Sequence, residues 1–262
     1  MGKITSALRK AAEERLERID KINRFREKSQ LIIKKQDRSQ VDTRIVSYYD
    51  PKALITEQYK IFRTNVLSLN KGKSMKVIIL TSSIHSEGKT VTALNLAIAV
   101  AQSTQKPKVL LIDGDLRRGS VAKYLGVNQK IGLSDLLTEK IEVEEALFHL
   151  DQIPNLTFLS SGSVPENPAE LLDSDKMRGL IADMKGQFDY VFIDTPPIIS
   201  VTDAGILGPQ ADGVIMVIQA GRTQRGIVKR ATELLHQSHT KLLGYLLTNI
   251  EYHLPEYIYR YL

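Results

Sequence analysis

A lysine and a threonine follow a short polar loop in a pattern that suits phosphate binding. Residues 81–90 read Thr-Ser-Ser-Ile-His-Ser-Glu-Gly-Lys-Thr, after an apolar run and before a helical pattern. In such a unit the backbone N–H groups surround a β-phosphate, the lysine reaches the β- and γ-phosphates, and the hydroxyl binds Mg²⁺. The predicted nucleotide-binding residues are Ser86, Glu87, Gly88, Lys89, Thr90 and the residue that follows them, Val91.

The loop departs from the common phosphate-binding pattern G-x-x-x-x-G-K-[ST] at its start. Ser83 stands where that pattern has its first glycine. The tripeptide Gly-Lys-Thr taken alone is also compatible with an ordinary exposed loop. Its interpretation as a phosphate site therefore depends on the acidic residues further along the chain.

Two later apolar runs end in aspartates. Asp113 and Asp115 follow the run at 108–112, and Asp194 follows the run at 190–193. In a parallel sheet these ends meet at the ligand-binding edge. Carboxylates there hold Mg²⁺ directly or through water, and one of them can accept a proton from a hydroxyl substrate. We expect Asp113 to be that proton acceptor, although an Asp- and Gly-rich turn has the same composition.

The elements that must position these residues alternate along the chain. Apolar runs at 77–80, 108–112, 155–159, 190–193, 213–219 and 242–248 predict strands, and helical patterns at 55–69, 89–103, 168–184 and 226–237 lie between them. Continuous apolar strands that alternate with helices indicate a parallel sheet covered on both faces. The predicted fold class is α/β, a predominantly parallel sheet with the fold of phosphate-loop NTPases, plus a helical N-terminal arm.

Composition excludes several other classes of protein. The 262 residues are 42% hydrophobic and include no cysteine, so disulfide scaffolds, thiolate zinc sites and cysteine nucleophiles are excluded. The longest apolar run falls well short of the ~20 residues that span a bilayer. The N-terminus is charged throughout and does not resemble a secretory signal.

The net charge of +6 belongs to the N-terminal end of the chain. Residues 1–44 are rich in lysine and arginine, whereas the remainder is balanced. Within this arm, residues 4–28 show an amphipathic helical stripe, and residues 29–50 are predicted to be a linker. The predicted organisation is a basic arm and linker at 1–50, a catalytic body at 51–250 and a tail at 251–262. A basic arm is compatible with a solvated helix, a docking helix, an anionic membrane face or nucleic acid.

Tyrosines are concentrated at the C-terminus. Four of the chain's 10 tyrosines lie in its last 11 residues, at Tyr252, Tyr257, Tyr259 and Tyr261. They either pack as part of a terminal element or serve as mobile substrates offered to an active site.

Together these segments resemble the bacterial tyrosine kinases of capsule and exopolysaccharide synthesis, relatives of the MinD and ParA ATPases. The resemblance covers roughly residues 51 to 262. Residues 112–117, Ile-Asp-Gly-Asp-Leu-Arg, match the kinase-typical Asp-x-Asp-x-Arg motif, and residues 193–197 match the next motif. Residues 162–172 resemble the family's Pro-Asn-Pro-x-Glu-Leu-Leu stretch. Residues 57–63 resemble its E-x-x-R-x-x-R oligomerisation helix, with Lys60 in place of the first arginine.

The resemblance implies autophosphorylation of the tyrosine tail between neighbouring subunits, with ATP and Mg²⁺. The implied catalytic residues are Lys89, Asp113, Asp115 and Arg117, with Arg117 positioning phosphate or Asp113, and Asn249 is expected to touch the adenine. It also implies a homo-oligomer and a membrane activator protein, hence a cytoplasmic protein held at the inner face of the membrane by that partner. No nucleic-acid partner is expected.

Two other functions remain compatible with the sequence. One is an ATPase switch of the MinD or ParA type, although those proteins usually carry an additional lysine early in the phosphate loop, and residues 81–88 contain none. The other is a nucleotide-gated scaffold without kinase activity.

Overall fold

The computed structural model describes residues 41–69, 76–138 and 141–250. The predicted arm helix at 4–28 and the tyrosines of the tail lie outside these ranges. No helix in the described part of the chain is long and apolar enough to cross a bilayer.

Seven strands form a single sheet in the described residues. Their order is β3-β4-β2-β5-β1-β6-β7, and all neighbours pair in parallel except β3 and β4. The arrangement confirms the predicted α/β class. The strands are β1 Val77–Ser82, β2 Val109–Asp113, β3 Leu147–His149, β4 Leu156–Leu159, β5 Tyr190–Asp194, β6 Gly213–Gln219 and β7 Leu242–Thr248.

Helices cover both faces of this sheet. They are α1 Val46–Tyr49, α2 Leu54–Ser68, α3 Lys89–Ala101, α4 Val121–Leu125, α5 Leu133–Thr138, α6 Val143–Ala146, α7 Pro168–Leu172, α8 Asp175–Gln187, α9 Asp203–Leu207 and α10 Arg225–Gln237, with a 3₁₀ turn at Gly208–Gln210.

Two apolar cores lie on opposite faces of the sheet. Successive residues of a strand point to opposite faces, so Ile79 of β1 joins one core and its neighbour Ile78 joins the other. Every residue of β1 and β2 is buried. Burial on both faces explains why the strand sequences are continuously apolar rather than alternating.

Two predicted elements differ from the structure. The helix predicted at 168–184 is interrupted, because Ser174 caps a new helix by accepting a hydrogen bond from the Met177 N–H at 3.2 Å. The antiparallel strand β3 was not predicted. It has only three residues, which are too few for a periodic pattern to be recognised.

The linker prediction is wrong for residues 41–50, which pack on the body. Val41, Ile45 and Val46 are buried. The side chain of Asn95 in α3 accepts a hydrogen bond from the Ser47 N–H at 2.9 Å and donates one to the Arg44 carbonyl at 3.0 Å. A short apolar segment inside a polar region thus contributes to the core, and the body begins at or before residue 41.

Replacement of Asn95 by alanine should loosen this segment. Asn95 is fully buried, and its loss leaves the Ser47 N–H and the Arg44 carbonyl without their partners, at a cost of about 1–3 kcal/mol. We expect a lower free energy of unfolding and faster tryptic cleavage at Arg44, measured by denaturant titration and limited proteolysis. Asn155→Ala, which removes one exposed hydrogen bond to the Lys106 carbonyl, is the matched control. Equal behaviour of the two variants would contradict this role of Asn95.

Candidate functional site

The strand order brings the residues singled out in the sequence to one edge of the sheet. β5 lies between β1 and β2, and Asp113 at the end of β2 is directly opposite Asp194 at the end of β5. Lys89 begins α3, which follows the loop after β1. Residues far apart in sequence therefore share one small region.

An ion pair between Lys89 and Asp194 forms the centre of the site. Lys89 Nζ lies 2.9 Å from Asp194 Oδ1, and Thr90 Oγ1 donates to Asp194 Oδ2 at 2.6 Å. Asp194 is completely buried, and 10% of the Lys89 side chain is exposed. The carboxylate therefore fixes the positions of both groups that the sequence assigned to phosphate and metal binding.

Asp113 is held by the N-terminus of α4. Its Oδ2 accepts hydrogen bonds from the Ser120 N–H at 2.7 Å and the Val121 N–H at 2.9 Å. Burial, together with the negative charge of Asp194, raises the pKa of Asp113 to about 7, although the α4 backbone and Lys89 act in the opposite direction. A carboxyl with a pKa near neutral suits a proton acceptor.

Burial also raises the pKa of Asp194, against the opposing effect of Lys89 and Thr90. Asp113 and Asp194 are neighbours at the sheet edge, and the Lys89 ammonium pairs with Asp194. The two carboxyls therefore titrate as a coupled pair rather than independently.

The loop before α3 has the shape of an anion cradle. Gly88 has a φ of +87°, and Ser86 has a φ of +65°, which is uncommon for a residue with a side chain. Gly88 stands at the N-cap position of α3 and has no side chain with which to cap the helix. The N–H groups of the first turn therefore remain available to a phosphate, which the helix dipole also favours.

Of the two roles predicted for Arg117, the structure does not show the positioning of Asp113, and the positioning of phosphate stays a prediction. The Arg117 guanidinium pairs with Asp203 at the start of α9, at 3.1 and 3.2 Å, and neither contact involves Asp113. Asp203 is completely buried. Pairing with the Arg117 guanidinium compensates for the cost of removing the Asp203 charge from water. The predicted positioning of Asp113 by Arg117 is therefore replaced by the N–H groups of α4.

Asp115 and Val91, which the sequence also places at the site, make contacts within the protein that stabilise its local structure. Asp115 is nearly buried and accepts a hydrogen bond from the Arg118 N–H at 2.9 Å, which closes the turn after β2. Val91 packs its side chain against the core, and its carbonyl accepts from Asn95. Asn249, expected at the adenine, directly follows β7 with an exposed side chain and a φ of +53°.

Glu87, predicted to bind the nucleotide, directs its carboxylate to protein groups. It is buried and accepts hydrogen bonds from the N–H groups of Ile84 and Gln219 and from the Thr223 hydroxyl. Its own carbonyl accepts from the Thr248 hydroxyl at 2.8 Å. Thr223 and Thr248 carry no motif that sequence inspection recognises, and the same is true of Asp203.

The donor set fits a phosphate-bound magnesium ion better than a metal held by protein alone. No group of three acidic or histidine side chains in the described residues is arranged to hold a cation. A hydroxyl at Thr90 and a carboxylate at Asp194 lie side by side next to a lysine. Magnesium typically combines one or two such ligands with phosphate oxygens and water.

Comparisons with known proteins identify the family of this chain and its fold. The model of the AAA domain family matches residues 75–242. The tyrosine-protein kinase YwqD of Bacillus subtilis (strain 168) is 39% identical over 214 residues, which cover 82% of this chain and 89% of the relative.

Solved structures show the same fold. The chimerical protein CapA2B2 superposes with a TM-score of 0.75 at 29% identity, over 81% of this chain and 93% of that one. The septum site-determining protein MinD of Pyrococcus horikoshii OT3, complexed with Mg-ADP, superposes with a TM-score of 0.56 at 25% identity, over 66% of this chain and 70% of that one.

Replacement of Asp113 by asparagine should stabilise the nucleotide-free protein, and more at pH 8 than at pH 5. The pKa of Asp113 is about 7 in the folded state against 3.8 ordinarily, so its ionisation destabilises the fold progressively as the pH rises from about 4 to above 7. The asparagine amide keeps an oxygen for the two α4 N–H groups but carries no charge. The difference between the two pH values should be on the order of 2 kcal/mol by denaturant titration.

The exposed Asp151 provides the matched control, as Asp151→Asn. A stabilisation by Asp113→Asn that is the same at pH 5 and pH 8, or absent at both, would contradict the assignment of a raised pKa to Asp113.

Proposed function

This chain belongs to the AAA domain family and, within it, to the tyrosine-protein kinases, and we propose that it phosphorylates its own C-terminal tyrosines between subunits, using ATP. The observation that carries the proposal is the cluster of Lys89, Thr90 and Asp194 with Asp113 beside it. It combines a phosphate-binding cation, a metal-binding hydroxyl and a proton acceptor at one sheet edge.

The first task of the site is to hold the triphosphate. The left-handed Ser86 and Gly88 turn the loop around the β-phosphate, and the N-terminus of α3 donates N–H groups to it. Lys89 moves from Asp194 to the β- and γ-phosphates, where it stabilises the charge that develops during transfer. Magnesium, when bound, would reduce the negative charge of the phosphate oxygens.

Thr90 and Asp194 would hold that magnesium ion. The Thr90 hydroxyl would be a ligand of the ion, and the Asp194 carboxylate, once released by Lys89, would bind the ion or accept hydrogen bonds from its waters. The burial of Asp194 keeps the carboxylate in one orientation. Asp115 supports the turn that carries Asp113.

The second task is to remove a proton from the tyrosine. A free phenol has a pKa near 10, so the attacking hydroxyl is protonated at neutral pH. The Asp113 carboxylate takes this proton as the bond forms between the phenolic oxygen and the γ-phosphorus. The bond from the γ-phosphorus to the bridging oxygen breaks, and ADP leaves with the electron pair.

The acceptors that we propose are Tyr252, Tyr257, Tyr259 and Tyr261. They follow β7, whose last residue, Thr248, is hydrogen-bonded to the Glu87 carbonyl of the phosphate loop. The last described strand before these tyrosines therefore ends beside the phosphate loop. The family resemblance implies that a neighbouring subunit phosphorylates these tyrosines.

Assembly of subunits is part of the same proposal. On α2, the residues Leu54, Ile55 and Ile61 are exposed, which favours a contact with another surface. Lys60 pairs with Glu57 on this helix at 2.6 Å. We further propose a membrane activator protein as partner, a location at the inner membrane face through that partner, and a role in capsule or exopolysaccharide synthesis.

Purified protein incubated with ATP and Mg²⁺ should acquire phosphate on the C-terminal peptide, detected by mass spectrometry. Lys89→Met should reduce the rate by about 100-fold or more, on the order expected for loss of a group that stabilises the transferring phosphoryl. Lys229→Met, at an exposed lysine of α10, is the matched control and should leave the rate unchanged. A chain that ends at residue 250 should phosphorylate a peptide of residues 251–262 supplied separately.

Other outcomes favour the alternative functions. ATP hydrolysis without phosphotyrosine, even with an activator fragment present, would contradict the kinase and favour a switch of the MinD or ParA type. Nucleotide binding without any turnover would favour a scaffold.

A further inference from the structure

We propose that Glu87 is a positioning residue that holds the phosphate loop in its binding conformation by joining it to the end of β6. The inference rests on the nucleotide site proposed above. It assigns the Glu87 carboxylate to the protein rather than to the nucleotide, and it names Thr223 and Arg222 as residues that act with it. The proposal stands on the hydrogen bonds that the buried Glu87 side chain and its neighbours make at this loop.

Both oxygens of the Glu87 carboxylate are occupied by protein donors. Oε2 accepts a hydrogen bond from the Ile84 N–H at 2.8 Å, within the loop itself. Oε1 accepts from the Gln219 N–H at 3.2 Å and from the Thr223 hydroxyl. One buried side chain therefore closes the phosphate loop and ties it to the turn after β6.

Two further contacts fix the neighbouring peptide groups. Arg222 Nη1 donates to the Ser86 carbonyl at 3.0 Å and to Gln219 Oε1 at 3.0 Å. The Thr248 hydroxyl donates to the Glu87 carbonyl at 2.8 Å. The loop is thus anchored on the ends of both β6 and β7.

This anchoring explains how the loop tolerates a serine in the left-handed conformation. Ser86 has a φ of +65°, a conformation that costs a residue with a side chain free energy and persists only where its surroundings enforce it. Two contacts hold Ser86 in this conformation. Arg222 donates to the Ser86 carbonyl, and the Glu87 carboxylate accepts from the Ile84 N–H on the other side of Ser86. Without them, Ser86 would relax and the N–H groups of the loop would turn away from the phosphate.

These hydrogen bonds require a carboxylate rather than an amide at residue 87. An amide at this position has one oxygen and one NH₂ group, whereas both Glu87 oxygens face backbone N–H donors. Either orientation of a glutamine therefore sets a donor against a donor. Glu87→Gln should consequently impair the loop nearly as much as Glu87→Ala.

The affinity of Mg·ADP, measured by isothermal titration calorimetry, tests the proposal without requiring kinase activity. Glu87→Ala and Glu87→Gln should each weaken binding by about tenfold or more, because they leave partly buried donors unpaired. Thr223→Val should weaken it by about threefold. Thr232→Val, at a half-buried threonine whose hydroxyl donates within α10, is the matched control and should leave the affinity unchanged.

A second substitution separates loop positioning from general stability. Ser86→Gly removes the cost of the left-handed conformation, so Ser86→Gly combined with Glu87→Ala should regain at least about threefold in Mg·ADP affinity. A double variant as weak as Glu87→Ala alone would overturn the proposal. Adding Thr223→Val to Glu87→Ala should cause no further loss, since the two residues act through one hydrogen bond.

Kinetics with the peptide of residues 251–262 give an independent measure. Glu87→Ala should raise KM for ATP and leave KM for the peptide unchanged, whereas a merely destabilised enzyme loses activity in proportion to its folded fraction and keeps both KM values. If Glu87→Ala does not fold, the Mg·ADP affinity of the Thr223→Val variant provides the test. An unchanged affinity in that variant overturns the proposal.

The controls distinguish this inference from the proposed function. Wild-type protein that fails to bind Mg·ADP would contradict the nucleotide site itself. Wild-type binding with equal affinity in Glu87→Ala would contradict only the positioning role of Glu87.

Discussion

The site depends on a buried ion pair between Lys89 and Asp194. Asp194 is completely enclosed, and removing its charge from water is costly unless a cation compensates for it. Lys89 provides that compensation, while Thr90 donates a hydrogen bond to the second carboxylate oxygen. In the function that we propose, Lys89 exchanges this partner for phosphate. The Asp194 carboxylate would then face the magnesium ion of the nucleotide, which would replace the lost positive charge of Lys89.

The sheet determines which groups take part in this exchange. Because β5 lies between β1 and β2, Asp113 and Asp194 are neighbours in register and disfavour each other's ionisation. As a result, the pKa of the Asp113 carboxyl is about 7. This carboxyl lies beside the ion pair of Lys89 and Asp194. The phosphate loop connects in turn to β6 and β7 through Glu87 and Thr248. Strands on both sides of β1 therefore contribute to one site.

The sequence predicted the parallel sheet and the convergence of Lys89, Asp113 and Asp194, because continuous apolar strands and acidic strand ends are local patterns. The pairing of Arg117 with Asp203 was not predictable, since it joins two loops without periodicity or motif. The role of Glu87 was missed for a related reason, because its partners Gln219 and Thr223 lie 132 and 136 positions away along the chain. Residues 41–50 resembled a linker because their buried apolar residues are few and surrounded by polar ones.

The coupling free energy between Lys89 and Asp194 tests the central claim most directly. It is obtained from the unfolding free energies of the wild type, Lys89→Met, Asp194→Asn and the double variant, without nucleotide. We expect the losses to be strongly non-additive, with a coupling of about 1–3 kcal/mol, because each single change leaves an uncompensated group in a buried site. Losses that add to within about 0.5 kcal/mol would show that the two residues act independently, which would contradict the central claim.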